Sequence, residues 1–388
     1  MNSRYSWKAR FAAALVVWTI ALDFASAAEE SSEEPTRLIN FSARANVGSN
    51  QNALIAGFAV SGDSGTQKNL LVRGMGPSLS MFGIQPALTD PVLKFDVITG
   101  SNPEFQATNA GWATQPVVTA PVDNLWMLGW GRVEFQAATE QIMSEVGAFT
   151  PIMAASSDAA LLATLPSGTF TAGISSANGG TGYALAEVYD ADNAMGNGTD
   201  TARLTNFSAR AQVGSDPGVL IAGFVITGWL PDTVLVRGMG PSLVSFGITN
   251  ALLMPTVTLY DSTGLVIATN TGWTNPPVMG DSLVVSWVFQ ATPEQFALAG
   301  AFQPISSQSA DSALVVTLPA GSYTVEVGGA GNSTGVALVE IYETSAPVYG
   351  VAGNLGSVRR QRRVRHTGTE GSVQKAAWRA FRAHNSIP

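Results

Sequence analysis

Apolar and polar residues alternate along many short stretches of this chain, and glycine or proline separates one stretch from the next. In "GSYTVEVGG" the apolar residues Tyr323, Val325 and Val327 alternate with polar ones, the period-two pattern of a strand with one buried face. In "TLPSG" and "TLPAG", proline followed by glycine predicts a tight turn between two strands. Many short strands joined by such turns predict an all-β fold.

A single stretch in each half of the chain has the pattern of a helix instead. In "ATPEQFALAGAF", Thr292 is a suitable N-cap, Pro293 fits the first helical position and Gln295 completes a capping box. We therefore expect at most one short helix in each half.

The strand-like stretches occur twice in the same order. "RLINFSARANVGS" at Arg37 returns as "RLTNFSARAQVGS" at Arg203, "LIAGF" returns at Leu220, and "ATNAGW" returns as "ATNTGW" at Ala268. Such internal repetition predicts two copies of one module. We expect two tandem antiparallel β-sandwich domains, jelly-roll-like, at residues 37–190 and 203–343, with residues 191–202 as the linker.

One repeated stretch, "LVRGMGPSL", invites comparison with glycine-rich loops that bind phosphate. A dinucleotide loop needs a helix and a second parallel strand after its glycines. Here Pro77 or Pro241 follows the second glycine, and proline has no backbone N–H to donate to a phosphate. The stretch therefore predicts a strand end, a tight turn and a short helical turn, with glycines chosen for positive φ or for close backbone packing.

The order "NFSAR…VLIAGF…VLVRGMGPSL…LPAGSYTVEV…GVALVEIYE" resembles a tandem module of large secreted proteins from environmental bacteria. The later part of each copy is also similar to the pre-peptidase C-terminal type of domain, a β-sandwich appended to secreted enzymes. The resemblance implies an extracellular accessory or surface module, and it brings no catalytic residues with it.

The ends of the chain differ in composition from its body. A basic start, an apolar run from Phe11 to Leu22 and small residues at Ala25 and Ala27 predict a signal peptide at residues 1–27. An acidic leader follows at residues 28–36, and residues 344–388 form a basic tail that we expect to be disordered. No later apolar run is long enough to span a membrane, so we expect an exported protein that is periplasmic, extracellular or on the cell surface.

Charge and cysteine content limit the possible partners. Residues 37–343 carry 22 acidic and 9 basic residues, whereas residues 344–388 carry 8 basic residues and one acidic residue. An acidic body repels nucleic acid, so no nucleic-acid partner is expected. The chain has no cysteine, which excludes thiolate catalysis and cysteine-bound metals.

The candidates for catalysis are few. Both histidines, His366 and His384, lie in the tail, so neither repeat can hold a Ser-His-Asp arrangement. Glycosidase-like carboxylate pairs remain an alternative, because acidic residues recur at matching positions of the two repeats. Arginines recur as well, which favours structural partners over catalysis, since an unpaired buried charge is costly. The recurring residues are Arg44, Arg73, Asp158 and Glu187, matched by Arg210, Arg237, Asp311 and Glu340.

Two kinds of binding site remain open. Trp112 and Trp273 in the repeated turns, and Trp229 in the second repeat only, could stack on a sugar ring or could fill the core. The linker oxygens of Asp190, Asp192, Asn193 and Asp200 could bind Ca²⁺ or could belong to a solvated turn; no other cofactor is expected.

Taken together, the sequence predicts an exported, non-enzymatic structural or binding module, with adhesion as one possible role. The alternatives are a carbohydrate-binding protein that uses the tryptophans to bind polysaccharide, and a glycoside hydrolase that uses carboxylates alone.

Overall fold

A computed structural model describes residues 36–48, 52–99, 102–119, 133–195, 202–215, 217–284 and 286–344. The predicted signal peptide, the acidic leader up to residue 35, Asp200 and the tail beyond Thr344 lie outside the described residues. Within the described part, no helix is long and apolar enough to cross a membrane.

The described part of the first repeat contains ten strands, with short helices between them and after the last one. Its strands are β1 (Arg37–Val47), β2 (Leu54–Ser61), β3 (Gln67–Met75), β4 (Pro91–Thr99), β5 (Asn102–Asn109), β6 (Val117–Thr119), β7 (Glu134–Ala137), β8 (Ala159–Pro166), β9 (Gly168–Ser176) and β10 (Gly182–Asp190). Its helices are the 3₁₀ helix Pro77–Phe82, α1 (Glu140–Glu145) and, directly after β10, α2 (Asp192–Met195).

The second repeat has its strands in the same order, but it has a 3₁₀ helix between its last two strands where the first repeat has a helix after its last strand. Its strands are β11 (Arg203–Val213), β12 (Leu220–Thr227), β13 (Asp232–Met239), β14 (Pro255–Tyr260), β15 (Val266–Asn270), β16 (Val278–Met279), β17 (Trp287–Gln290), β18 (Ser312–Leu318), β19 (Gly321–Gly329) and β20 (Gly335–Glu343). Its helices are the 3₁₀ helix Pro241–Phe246, α3 (Pro293–Leu298) and the 3₁₀ helix Ala330–Asn332. The all-β class predicted from the sequence is confirmed, and every strand ladder between the described strands is antiparallel.

Local sequence signals explain several of these elements. The predicted capping box is present, because the Thr292 side chain accepts from Gln295 N while the Gln295 side chain accepts from Thr292 N. Tyr323, Val325 and Val327 point into the core as predicted. Each repeat also has a 3₁₀ helix in "PSLSMF" or "PSLVSF", where the sequence predicts a short helical turn. The expectation of at most one short helix in each half is therefore wrong, because each repeat has further short helices besides the capped one.

The first strand of each repeat joins the two repeats. β1 pairs on one side with β10 of its own repeat and on the other side with β12 of the second repeat. In the same way, β11 lies between β20 of its own repeat and β2 of the first repeat. The predicted division into two domains stays a prediction, but the hydrogen-bonded sheets run through both repeats.

The strand pairings form two series of ten. One runs β7–β8–β3–β10–β1–β12–β19–β14–β15–β16. The other runs β6–β5–β4–β9–β2–β11–β20–β13–β18–β17. The pairing of Leu38 with Leu204 connects the two series into one twenty-stranded sheet.

The core lies between the two series. Gly74 of β3 faces Ile174 of β9, and a Cβ atom on Gly74 would come within 2.5 Å of the Ile174 side chain. At the junction of the repeats, Phe41 and Phe207 stack with ring centroids 5.1 Å apart and planes inclined by 5°. These two phenylalanines belong to the repeated "NFSAR" stretch, so that stretch recurs because both copies form the junction.

Candidate functional site

The recurring arginine of "VRGMG" pairs with the recurring glutamate of the last strand in each repeat. In the second repeat, Arg237 donates from Nε to Glu340 Oε2 at 2.8 Å and from Nη1 to the Phe302 carbonyl at 2.5 Å. Tyr342 donates to the other carboxylate oxygen of Glu340 at 2.5 Å. Because Arg237 is 0% exposed and its guanidinium lies 4.2 Å from the Phe302 ring centroid, the pair is fully enclosed.

The first repeat contains the same cluster. Arg73 donates to Glu187 from two nitrogens and to the Phe149 carbonyl, and Tyr189 donates to Glu187 at 2.6 Å. Burial lowers the pKa of Arg73, but the charge of Glu187 and its hydrogen bond, together with the nearby Tyr189 and Asp158, outweigh burial, so that the pKa is raised. Burial, then Glu187, raises the pKa of Tyr189 well above its usual value. Arg73 therefore stays protonated and Tyr189 stays neutral beneath the sheet surface.

The recurring aspartates do not pair with arginine. Asp158 accepts from the backbone N–H groups of Gly76 and Ser78 and from the hydroxyls of Ser78 and Ser156. Asp311 accepts from the corresponding groups of Gly240, Ser242 and Ser309. The glycine-rich stretch thus does bind an anion with its backbone amides, and that anion is a carboxylate of the chain itself.

Close packing explains the second glycine of "RGMG". The backbone at Gly76 is at φ −135°, outside the left-handed region. A Cβ atom there would lie 2.2 Å from the Leu88 carbonyl oxygen, and one on Gly240 would lie 2.0 Å from the Leu252 carbonyl oxygen. Of the two reasons predicted for these glycines, the structure shows close backbone packing.

The arginines of "NFSAR" occupy a different environment from Arg73 and Arg237. Arg44 lies with its guanidinium 5.6 Å from the Tyr183 ring centroid, and its Nε has no hydrogen-bond partner among the described residues. Burial lowers the pKa of Arg44, and burial lowers the pKa of Arg210 to about 10. These two arginines therefore do not join the Arg–Glu clusters.

A sugar-stacking role does not fit the two repeated tryptophans. Trp112 is 4% exposed and Trp273 is 6% exposed, so neither ring offers a free face. Their indole N–H groups donate to the carbonyls of Met153 and Ser306 at 3.1 and 3.2 Å. Trp273 also packs against Phe296 of α3. The rings fill the clusters beneath the helices, which is the core alternative left open by the sequence.

Trp229 is placed differently. It lies in the segment Gly228–Pro231, here called the Trp229 loop, between β12 and β13, and both Trp229 and Leu230 are 70% exposed. The Thr36 hydroxyl accepts from Leu230 N at 3.0 Å and donates to the Leu230 carbonyl at 2.8 Å. Gly228 has φ +107°, and a Cβ atom on it would meet Thr36 Cα at 2.5 Å. The loop is therefore fixed at its base and presents an aromatic ring to solvent.

The predicted calcium ligands have a different partner. Lys68 Nζ lies 2.5 Å from Asp190 Oδ2 and 2.6 Å from Asp192 Oδ2, so an ammonium group occupies the space between the carboxylates. Burial raises the pKa of Asp192 despite the hydrogen bond from Lys68. Asn193 is exposed, and no group of three or more acidic or histidine side chains in the described part of the chain is arranged to hold a metal ion. The carboxylates of Asp190 and Asp192 thus form ion pairs with Lys68, and the interpretation of these two residues as calcium ligands does not fit this arrangement.

The second repeat has Asp232 where the first has Lys68. Asp232 is 9% exposed, and burial raises its pKa to about 6. The Oδ1 atom of Asp232 accepts from Thr233 N at 2.8 Å, but the Oδ2 atom has no hydrogen-bond partner within the described residues. This carboxylate is therefore a destabilising group at neutral pH.

Replacing Asp232 with asparagine should stabilise the protein at alkaline pH. The unfolded-state pKa of an aspartate is about 4, so the folded state binds the proton more tightly. Protonation of Asp232 therefore stabilises the folded state; this contribution is fully present below about pH 4 and is lost as the pH rises through about 6. We expect the free energy of unfolding of Asp232→Asn at about pH 8 to rise by roughly 2 kcal/mol, measured by urea denaturation across this pH range. Asp281→Asn, at an exposed aspartate, is the control. If the free energy of unfolding of Asp232→Asn depended on pH as that of the wild type does, the prediction would be contradicted.

No family model, curated protein or solved structure matches the chain. The resemblance to secreted bacterial modules and to pre-peptidase C-terminal domains therefore stays a prediction.

Sequence reasoning missed two sets of residues that the structure brings together. The serines that bind Asp158 and Asp311 are common residues in turn-rich segments, and nothing in their spacing marks them. Lys68 was the stronger signal, since it is one of only two lysines between residues 37 and 343. A lysine on an inward-facing strand position needs a buried acidic partner.

Proposed function

We propose that the protein is an exported, non-enzymatic structural or binding element that contacts polysaccharide through the Trp229 loop. The observation that carries this proposal is a tryptophan 70% exposed on a loop whose base is tied by both backbone groups of Leu230 to Thr36. A loop whose backbone is already held in place loses little conformational entropy on binding, and the flat apolar face and polar edge of a tryptophan suit a sugar ring. The acidic body makes an anionic nucleic acid an unsuitable partner.

The use of the recurring carboxylates supports a non-enzymatic role. A glycoside hydrolase needs two carboxyl groups that face the same open space. Glu187 and Glu340 are engaged by arginine and tyrosine, and Asp158 and Asp311 by backbone and serine donors. All four are buried, so their hydrogen-bonding capacity serves the fold.

Replacing Trp229 with alanine should weaken retention on polysaccharide. The fraction of protein bound to each of a panel of insoluble polysaccharides gives the affinity. We expect the affinity of Trp229→Ala to be at least about tenfold weaker than that of the wild type, because a central tryptophan commonly contributes 2 kcal/mol or more to binding. Trp229→Phe should retain part of the binding, since it keeps an aromatic face. The thermal unfolding midpoint should stay unchanged, because the ring is exposed.

The matched control is Trp287→Ala, at a tryptophan that is 49% exposed on the edge strand β17. This variant should bind like the wild type. Equal binding by wild type and Trp229→Ala, or no binding to any polysaccharide, would remove the loop as a carbohydrate site and leave a scaffold. Release of reducing sugar from a panel of glycosides would contradict the non-enzymatic role.

A further inference from the structure

Lys68 and two aspartates form a buried cluster that the proposed function does not use. The Lys68 residue is 1% exposed, and the side chains of Asp190 and Asp192 are 9% and 8% exposed. One ammonium group therefore lies between two carboxylates, at 2.5 Å from Asp190 Oδ2 and 2.6 Å from Asp192 Oδ2. The three side chains come from β3, the end of β10 and the start of α2.

The strand register places Lys68 and Asp190 on the same face. β3 and β10 are adjacent and antiparallel, with Asp190 opposite Leu70. Leu70 and Val72 of β3, and Ala186 and Val188 of β10, point into the core. Lys68 and Asp190 continue these two inward-facing rows, so the amine and the carboxyl group meet at the end of the core.

Asp192 is held in place separately. Its Oδ1 atom accepts from Asn69 N at 2.8 Å, and its backbone N–H donates to Asp190 Oδ1 at 3.1 Å. This arrangement leaves Asp192 Oδ2 free to exchange a proton with Lys68 Nζ, while Asp190 stays beside the same nitrogen.

We infer that Lys68 and Asp190 condense to form an intramolecular amide bond between β3 and β10, with Asp192 transferring the protons. Asp192 accepts one proton from the ammonium group, and the resulting amine forms a bond from Nζ to Cγ of Asp190. The Cγ–Oδ2 bond then breaks. Two of the three protons of the ammonium group reach the departing oxygen through Asp192, water leaves, and Asp192 is again a carboxylate. No oxidant or reductant is needed.

Two physical effects favour this reaction in the folded protein. Holding the reacting groups in contact replaces a bimolecular encounter, with effective molarities of about 10⁵–10⁸ M in favourable cases. Burying an ammonium and a carboxylate is costly, and the amide removes one charge of each sign from the site. The product retains a single carboxylate, that of Asp192, which accepts a hydrogen bond from Asn69 N.

The second repeat provides a natural comparison. Lys68 corresponds to Asp232, and Asp190 corresponds to Glu343, which pairs with Arg203 at 3.1 Å. Neither an aspartate nor an arginine can form this amide, so the cross-link belongs to the first repeat alone.

Mass spectrometry of the full-length chain tests the bond directly. The denatured wild type should have a mass lower by one water molecule than its sequence requires, after the N-terminus is determined. Trypsin should fail to cleave after Lys68, and a branched peptide should contain both Lys68 and Asp190. Lys68→Arg and Asp190→Ala should each have the full sequence mass. Lys94→Arg, at a half-exposed lysine 3.7 Å from Asp96, is the matched control and should retain the mass deficit.

The role of Asp192 has its own measurement. In Asp192→Asn, the mass deficit should develop at least about tenfold more slowly than in the wild type when newly synthesised chains are sampled over time, because the proton-transfer group is lost. An unchanged rate would overturn this role. Wild-type protein at its full sequence mass, with separate peptides for Lys68 and Asp190, would overturn the cross-link, and a branch at Asp192 would overturn the choice of Asp190. The wild-type measurement does not depend on whether a variant folds.

Discussion

Replacement of Glu340 with alanine should lower the free energy of unfolding by about 3–5 kcal/mol, because it leaves the charge of a buried arginine without its partner. Arg237 is 0% exposed and donates to Glu340 at 2.8 Å, and its remaining contacts are the Phe302 carbonyl and neighbouring rings. Urea denaturation followed by fluorescence should show the loss as a lower midpoint.

The double variant Arg237→Met with Glu340→Leu separates the charge from the volume. Replacing a buried ion pair with apolar residues of similar size is often neutral, so the double variant should be more stable than Glu340→Ala alone. Glu294→Ala, at a fully exposed glutamate in the first turn of α3, should leave the midpoint unchanged. A loss of less than about 1 kcal/mol in Glu340→Ala would contradict the structural role of the pair.

Replacement of Asp311 with asparagine should destabilise the second repeat by about 3 kcal/mol, since hydrogen bonds to a charged group contribute roughly 1.5–3 kcal/mol each. Asp311 accepts from two backbone N–H groups on one oxygen and from two serine hydroxyls on the other. In the asparagine variant, an NH₂ group replaces the oxygen that accepts from the two serine hydroxyls, so donors would face donors. Ser242 Oγ already accepts from Ile305 N at 2.8 Å, and if it also accepted from the amide its own buried proton would lose the carboxylate oxygen that now accepts it.

The effect should also be local, which hydrogen exchange can measure. Asp311 ties the start of the 3₁₀ helix Pro241–Phe246 to the strand β18, so the amides of Gly240 and Ser242 should exchange faster in the variant than in the wild type. Asp158→Asn should produce the same change at Gly76 and Ser78, because the network is repeated. Asp281→Asn, at an exposed aspartate, is the control. Wild-type stability in Asp311→Asn would remove the anchoring role.

The two networks explain why the polar residues of "VRGMGPS" recur. The arginine reaches the last strand of its repeat, the glycine allows the Leu88 or Leu252 carbonyl to approach, and the serine reaches the aspartate before β8 or β18. The arginine and the serine each fix a loop segment to the sheet. Burying these polar groups costs desolvation free energy, which is offset only when every one of them has a hydrogen-bond partner.

Local patterns in the sequence determined the parts of this protein whose causes are local. Period-two alternation predicted inward-facing residues such as Val325, the capping box predicted α3, and the repeated blocks predicted two copies with the same order of strands. In each case the residues that interact are close together in the chain or the pattern repeats within a few positions.

Only the tertiary structure decided which partner each face and each charge would meet. The repeated block predicts that β1 is a strand, but it does not show that the neighbour of β1 is β12 of the other repeat, since backbone hydrogen bonds are the same for any strand. The same holds for the contrast between buried Trp273 and exposed Trp229, and for Lys68 between Asp190 and Asp192. Burial and ion pairing depend on groups more than a hundred positions apart, such as Arg237 with Glu340, and long-range packing sets those distances.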